Sequence, residues 1–275
     1  MSSCPEIHKG KGFPERIVCL TEETTELLYL LGEQDRIAGI SVYTVRPAIA
    51  AAEKPGVCDF TGVNMDKIRE LKPDLILGFS DVQAEAAKQL IKAGFQVMVF
   101  NQRSVEDIFR AILLTGSIVG RYEEACELSS GYRHKLLEIS RQSAAFDRKP
   151  KIFFEEWYSP LISGIRWVSE LIEIAGGIDC FPELSVSAEA KGRMIADEAE
   201  VVRRNPDIIL ASWCGKRFIR EKITSRKGWD QINAVRQGSV FEIDSSVILQ
   251  PGPAALTDGI DQLFQIVENW HKIQS

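Results

Sequence analysis

LKPDLILGFS, residues 71–80, recurs later in the chain as RRNPDIILAS, residues 203–212. Each copy passes from polar residues through Pro-Asp into an apolar run that reads as a buried strand. The residues upstream agree too. Asn64 and Asp197 each stand where a helix should open, and both carry a short side-chain oxygen able to accept from a free backbone N–H. A second pair matches: TELLYLLG (25–32) and SELIEIAGG (169–177) both read as apolar helices closed by glycine. Each lies downstream of a strand, ERIVCL (15–20) and KIFFEEW (151–157). The two copies lie too far apart for a solenoid, whose period is about 20–50 residues. Two similarly built lobes are predicted instead, and two lobes imply a cleft.

Alternating apolar and amphipathic segments make the fold class α/β, with two doubly wound parallel-sheet lobes. First-lobe strands are expected at RIVCL, RIAGIS, DLILGF and QVMVF, and second-lobe strands at KIFFEE, DIILAS and SVFEI. Residues 104–146 hold no proline and keep a helical pattern, with an irregularity at 116–120, so one long helix is predicted to join the lobes. The organisation is a tail at 1–14, a first lobe at 15–103, a connecting helix at 104–147 and a second lobe at 148–275. A final helix is expected over 253–272, with proline in its first turn.

The 275 residues are 45% hydrophobic, enough for a folded core, and 33 basic against 39 acidic residues leave a net charge of −6. That balance argues against a nucleic-acid binder, which would show a basic face. No stretch of about 18 apolar residues is present, so no spanning helix is expected. The N-terminal stretch lacks an apolar leader segment, and the six cysteines have no paired spacing. A reduced, cytoplasmic chain is therefore expected as written, or a periplasmic one if a leader is missing from its start.

Ligands of doubly wound sheets lie beyond the carboxyl ends of the strands. The loops there carry Glu22 and Glu23, Tyr43, Phe60, Phe79 and Ser80 in the first half. In the second half they carry Glu155, Glu156 and Trp157, then Arg166 and Trp167, Trp213 and Cys214, and Gln250. Three of the five tryptophans fall in these positions, facing Tyr43, Phe60 and Phe79. Flat rings on two rims suit a flat, largely apolar ligand with a few polar groups. The carboxylates Glu22, Glu23, Glu155 and Glu156 read as a general acid and base, as metal ligands, as solvated loop charges, or as acceptors for an amide-bearing ligand, with solvated charge favoured because no partner motif accompanies them. No histidine falls in these loops, no Cys–His cluster has ligand spacing, and no nucleotide-binding motif is present. No catalytic residue, metal ligand or covalent cofactor is assigned.

PERIVCLTEETTELLYLLG, VNMDKIRELKPDLIL, PLISGIRWVSELIEIAGG and ILQPGPAALTDGIDQL together resemble the cobalamin/iron-siderophore class of ABC-transporter substrate-binding proteins. EEWYSPLISGIRWVSELIEIAGG and SWCGKRF are similar to its cobalamin-binding subgroup, whose members often lack a leader peptide. The resemblance spans about Phe13 to Trp270. It implies a monomeric carrier of cobalamin or a related corrinoid, with an ABC permease and its ATPase as partners. On this resemblance Phe60 takes the place of a corrin-stacking tryptophan and Tyr43 that of a ligand-loop tyrosine. The second stacking tryptophan falls near Arg193. Docking to the permease would use Asp66 in one lobe; in the other, Ala199 takes the matching place, flanked by Glu198 and Glu200. Two alternatives remain open: a carrier of another metal chelate, haem or a ferric siderophore, met by Arg46, Arg166 and Arg193, and a corrinoid-processing enzyme using Glu155, Glu156 and Cys214.

Overall fold

A computed structural model describes residues 12–59 and 61–274. The chain divides into two compact units, residues 1–101 with 110–128, and residues 102–109 with 129–275.

The first unit is built on β1 (Ile17–Cys19), α1 (Glu22–Leu30), β2 (Ile37–Ser41), a single helical turn α2 (Ala50–Glu53), β3 (Gly56–Cys58), α3 (Met65–Leu71), β4 (Leu75–Phe79), α4 (Ala84–Lys92) and β5 (Val97–Phe100). Its sheet is wholly parallel, in the order β3-β2-β1-β4-β5. Val18, Leu20, Val57, Ile68, Ile76 and Leu90 bury one core of this unit. β3 was not expected from the sequence, because three residues are too few to show a period.

Two helices follow, α5 (Val105–Val119) and α6 (Tyr122–Ser143), where the sequence pattern predicts one. The break is chemical. Gly120 takes φ +74, the left-handed conformation that ends helices. The Arg121 N–H then turns back to the Gly116 carbonyl at 2.7 Å. A side chain at Gly116 would collide with the Arg121 carbonyl and Ala125, and one at Gly120 with the Phe13 ring. The boundary between the units falls inside both helices.

The second unit continues with β6 (Lys151–Tyr158), β7 (Leu161–Ser163), α7 (Arg166–Ile174), β8 (Ile178–Asp179), α8 (Pro182–Ser185), α9 (Ala199–Arg204), β9 (Ile208–Ala211), α10 (Glu221–Thr224), α11 (Asn233–Arg236), β10 (Val240–Glu242), α12 (Ser245–Ile248) and α13 (Ile260–Gln274). A π-helical stretch, Ala255–Gly259, leads into α13. The sheet runs β10-β9-β6-β7. It departs from the wholly parallel plan: β7 folds back antiparallel on the carboxyl half of β6, while β8 pairs parallel with its amino half.

The repeated Pro-Asp sequence marks one joint made twice. α3 ends on Lys72 and α9 on Asn205, both left-handed (φ 47 and 48), and proline follows each. Proline cannot continue a helix and offers no N–H. Asp74 then exchanges with Arg16: its N–H donates to the Arg16 carbonyl at 3.0 Å, and its carboxylate accepts from the N–H groups of Glu15 and Arg16. Asp207 does the same with Lys151, at 2.8 and 3.0 Å. The basic side chain completes the joint. The Arg16 guanidinium donates to the Leu71 carbonyl, and Lys151 Nζ donates to the Arg204 carbonyl, capping the preceding helix each time. Asn64 caps α3 by accepting from the Lys67 N–H at 3.0 Å, and Asp197 accepts from the Ala199 N–H at 3.0 Å.

Candidate ligand site

At the carboxyl edge of the first sheet, α1 starts directly after β1 and places three carboxylates among packed atoms. Glu26 holds the Arg46 guanidinium at 2.9 Å, and Glu22 accepts a long 3.5 Å bond from the Val45 N–H. Together they pin the loop that follows β2. That loop presents Val42, Tyr43, Val45 and Ile49 as exposed side chains, Tyr43 at 48%. Glu23 turns inward. Thr21 donates to one of its oxygens at 2.6 Å, and the other is buried with no partner among the described residues. Burial pushes its carboxyl up to about 7, against the lowering effect of the Thr21 hydroxyl.

At the end of β4, Phe79 is half-buried, and Ser80 after it is buried, with φ 59 and ψ 179. Gln83, which sequence reasoning missed, fixes this corner. Its side-chain oxygen accepts from the Phe79 N–H at 2.9 Å, and its amide donates to the Leu20 carbonyl at 3.1 Å. Only three-dimensional placement shows this role. Phe60 lies outside the described residues. Asp59 beside it accepts from the Thr61 and Gly62 N–H groups, and the Gly62 and Thr61 bonds hold its carboxyl below the usual range.

In the second unit β6 carries the edge. Its pairing with β7 shifts register between Glu155 and Trp157, a bulge of the kind that re-aims side chains. Glu155 is fully enclosed and joined by both terminal nitrogens of Arg226, and it also accepts from Trp213 Nε1 at 3.1 Å. Burial raises its carboxyl, while Arg226 pulls it back. Glu156 instead meets the buried Arg193 in a two-point ion pair, and Arg193 also donates to the Ser163 carbonyl at 2.7 Å. Glu155 and Glu156 therefore hold guanidinium partners rather than standing as an acid–base pair.

The rings divide into two groups. Trp157 and Tyr158 are half-buried and stacked, centroids 5.4 Å apart, and Tyr158 leads to Trp213 at 4.8 Å and then to Phe218 at 5.6 Å. Trp213 itself is 4% exposed and belongs to the unit's hydrophobic core. Trp167 is likewise interior, its Nε1 donating to the Ile248 carbonyl at 3.0 Å. These two differ from the expected rim rings, because each indole N–H finds its partner only inside the unit. Arg166 is exposed and pairs with Glu170 at 2.8 Å. Gln250 is half-buried in a turn closed by the Gly252 N–H.

Of the acidic residues placed at a docking face, Asp66 is almost wholly exposed, with Arg69 at 3.1 Å. Glu198 is exposed, and Glu200 is bound by Arg203 and Arg204 on its own helix. Among the described residues no group of three or more His, Cys, Asp or Glu side chains could hold a metal ion, and no helix is long and apolar enough to cross a membrane. The five described cysteines are free thiols, and burial pushes Cys19, Cys58 and Cys180 up to about 12, beyond ordinary nucleophilic use.

Known proteins share this fold. The chain is 28% identical to the uncharacterized ABC transporter substrate-binding lipoprotein YvrC of Bacillus subtilis, an alignment covering 92% of this chain and 80% of that one. It is 25% identical to the vitamin B12-binding protein of Vibrio cholerae, covering 92% and 90% respectively. A crystal structure of a possible iron-binding, periplasmic solute-binding protein from Staphylococcus epidermidis superimposes with a TM-score of 0.79 at 24% identity, covering 92% and 98%. The profile of the periplasmic binding protein family matches residues 17–247. The chain belongs to the periplasmic binding protein family, a family of binding proteins and not of enzymes.

Proposed function

We propose that this protein binds a corrinoid, cobalamin or a close relative, without covalent attachment, and hands it unchanged to an ABC permease. Each unit offers surface suited to such a ligand at the carboxyl edge of its own sheet. The observation that carries this reading is the apolar and aromatic character of each edge: Tyr43 among Val42, Val45 and Ile49 on one, the Trp157–Tyr158 stack on the other. A corrin is broad, flat and fringed with neutral amides, so it asks for apolar surface with few charges. Two arginines near these edges are matched within the protein, Arg46 by Glu26 and Arg193 by Glu156. The alignment with the vitamin B12-binding protein over 92% of the chain supports the same ligand. The lipoprotein relative's name supports the transporter partner, and Asp66, exposed on the first turn of α3, suits a docking contact with a permease arginine.

The test is retention of colour. Purified protein mixed with cyanocobalamin or hydroxocobalamin at micromolar concentration should carry the red chromophore through a desalting column in near-stoichiometric amount. Thermal melting should rise with the same ligands by mass action. A colourless eluate with both corrinoids, together with retention of haemin or a ferric catecholate, would replace this reading with a metal-chelate carrier.

A further inference from the structure

One segment of the second unit opposes the acidic character of the chain. Residues 214–227 hold six basic residues and one acidic one, in a protein of net charge −6. The segment starts where β9 ends. The Lys216 N–H closes a turn onto the Trp213 carbonyl at 3.1 Å, with Cys214 and Gly215 at its tip; Lys216 and Arg217 follow directly, before Phe218, the last ring of the aromatic ladder. Both side chains are exposed, and among the described residues neither has an ion-pair partner. Lys222 lies with its ammonium 4.5 Å from the Tyr158 ring centre. Cations beside half-buried rings at a strand's carboxyl edge match one ligand chemistry: a flat aromatic group carrying an oxyanion.

We infer that Lys216 and Arg217 recognise the phosphodiester of the ligand's nucleotide loop, with the neighbouring rings receiving its aromatic base. The inference rests on the corrinoid reading and narrows it, to complete corrinoids over those lacking the nucleotide. A corrin ring with neutral amides gives these cations nothing to meet; the phosphodiester is the anionic part of the molecule. Arg supplies a two-pronged donor and Lys a point charge, the two ways proteins hold phosphate.

The experiment titrates cyanocobalamin and dicyanocobinamide, which lacks the nucleotide, into the full chain and into the double variant Lys216→Gln/Arg217→Gln. A Lys88→Gln/Lys92→Gln variant controls for net charge. The unaltered chain should bind cyanocobalamin about tenfold more tightly, as expected for charge-assisted bonds to phosphate, and the preference should shrink with added salt. The double variant should lose that preference while keeping its affinity for dicyanocobinamide, which also reports that it is folded; the control should keep both. Equal affinities in the unaltered chain, or an undiminished preference in the double variant, would overturn the inference and leave corrinoid binding standing. Binding of neither compound would overturn both.

Discussion

Glu155 and Arg226, 71 residues apart in sequence, form a two-point ion pair in which the carboxylate has no exposure at all. The pair also orients Trp213, whose indole N–H donates to the same carboxylate. An enclosed carboxylate costs several kcal/mol unless its charge is matched, so the two side chains depend on each other.

Arg226→Met should therefore destabilise the second unit by about 3–5 kcal/mol, because it strands a buried charge. Adding Glu155→Gln to that variant removes the charge and should restore most of the loss. Urea unfolding of the two single variants and the double variant measures the coupling. If the double variant were as unstable as Arg226→Met alone, the pair would not be the source of the cost.

Glu23 makes stability depend on pH. Its carboxyl lies at about 7 in the folded protein, against an ordinary 4.5. Between those values the folded chain keeps a proton that the unfolded chain has released. The resulting stability is fully present below about 4.5 and is lost as pH rises through about 7; it amounts to something on the order of 3 kcal/mol. Glu23→Gln carries no such proton. Unfolding free energy measured from pH 5 to pH 8 should fall in the unaltered protein relative to the variant. Parallel curves would show that Glu23 is not held protonated.

The Pro-Asp joints were legible in the sequence because the same residues recur in both copies, although each aspartate's partners lie more than 50 residues away. A proline ends the helix, and the next residue's carboxylate lies where the first strand's N–H groups emerge. The paired lobes followed from that repeat. β3 and β7 were not legible, since three residues carry no period. Nor was the fate of Trp167 and Trp213: tryptophan count shows that rings are available, but only the Ile248 carbonyl and the Glu155 carboxylate show that these two face inward. Arg226 and Gln83 escaped notice for a related reason. Arg226 meets Glu155 and Gln83 meets Leu20 across more than 60 residues, and neither pair recurs elsewhere in the chain to mark it.

Ser80 holds φ 59 and ψ 179, a region that costs a side chain of any kind about 1–3 kcal/mol. Its hydroxyl recovers little, accepting from the Val82 N–H at 3.3 Å. Both Ser80→Ala and Ser80→Gly lose that bond, but only glycine relieves the backbone. The glycine variant should be the more stable of the two by about 1 kcal/mol or more, against the usual preference for alanine. Chemical denaturation of the two variants checks the order, and a more stable alanine variant would show that the backbone there is unstrained.

Exposure separates the rings that should touch ligand from those that hold the fold. Tyr43 is about half exposed, so Tyr43→Ala should change stability by no more than about 0.5 kcal/mol. It should nevertheless weaken cobalamin binding by about tenfold, the loss of an aromatic anchor. Trp167→Phe should do the reverse. It removes the donor to the Ile248 carbonyl and leaves that buried acceptor unmatched, at about 1–2 kcal/mol, while cobalamin affinity stays within about twofold. Melting temperature and cobalamin titration on the same two preparations give a crossed pattern. A Tyr43→Ala variant with full affinity would remove this ring from the proposed site, and a Trp167→Phe variant with lost affinity and full stability would return Trp167 to it.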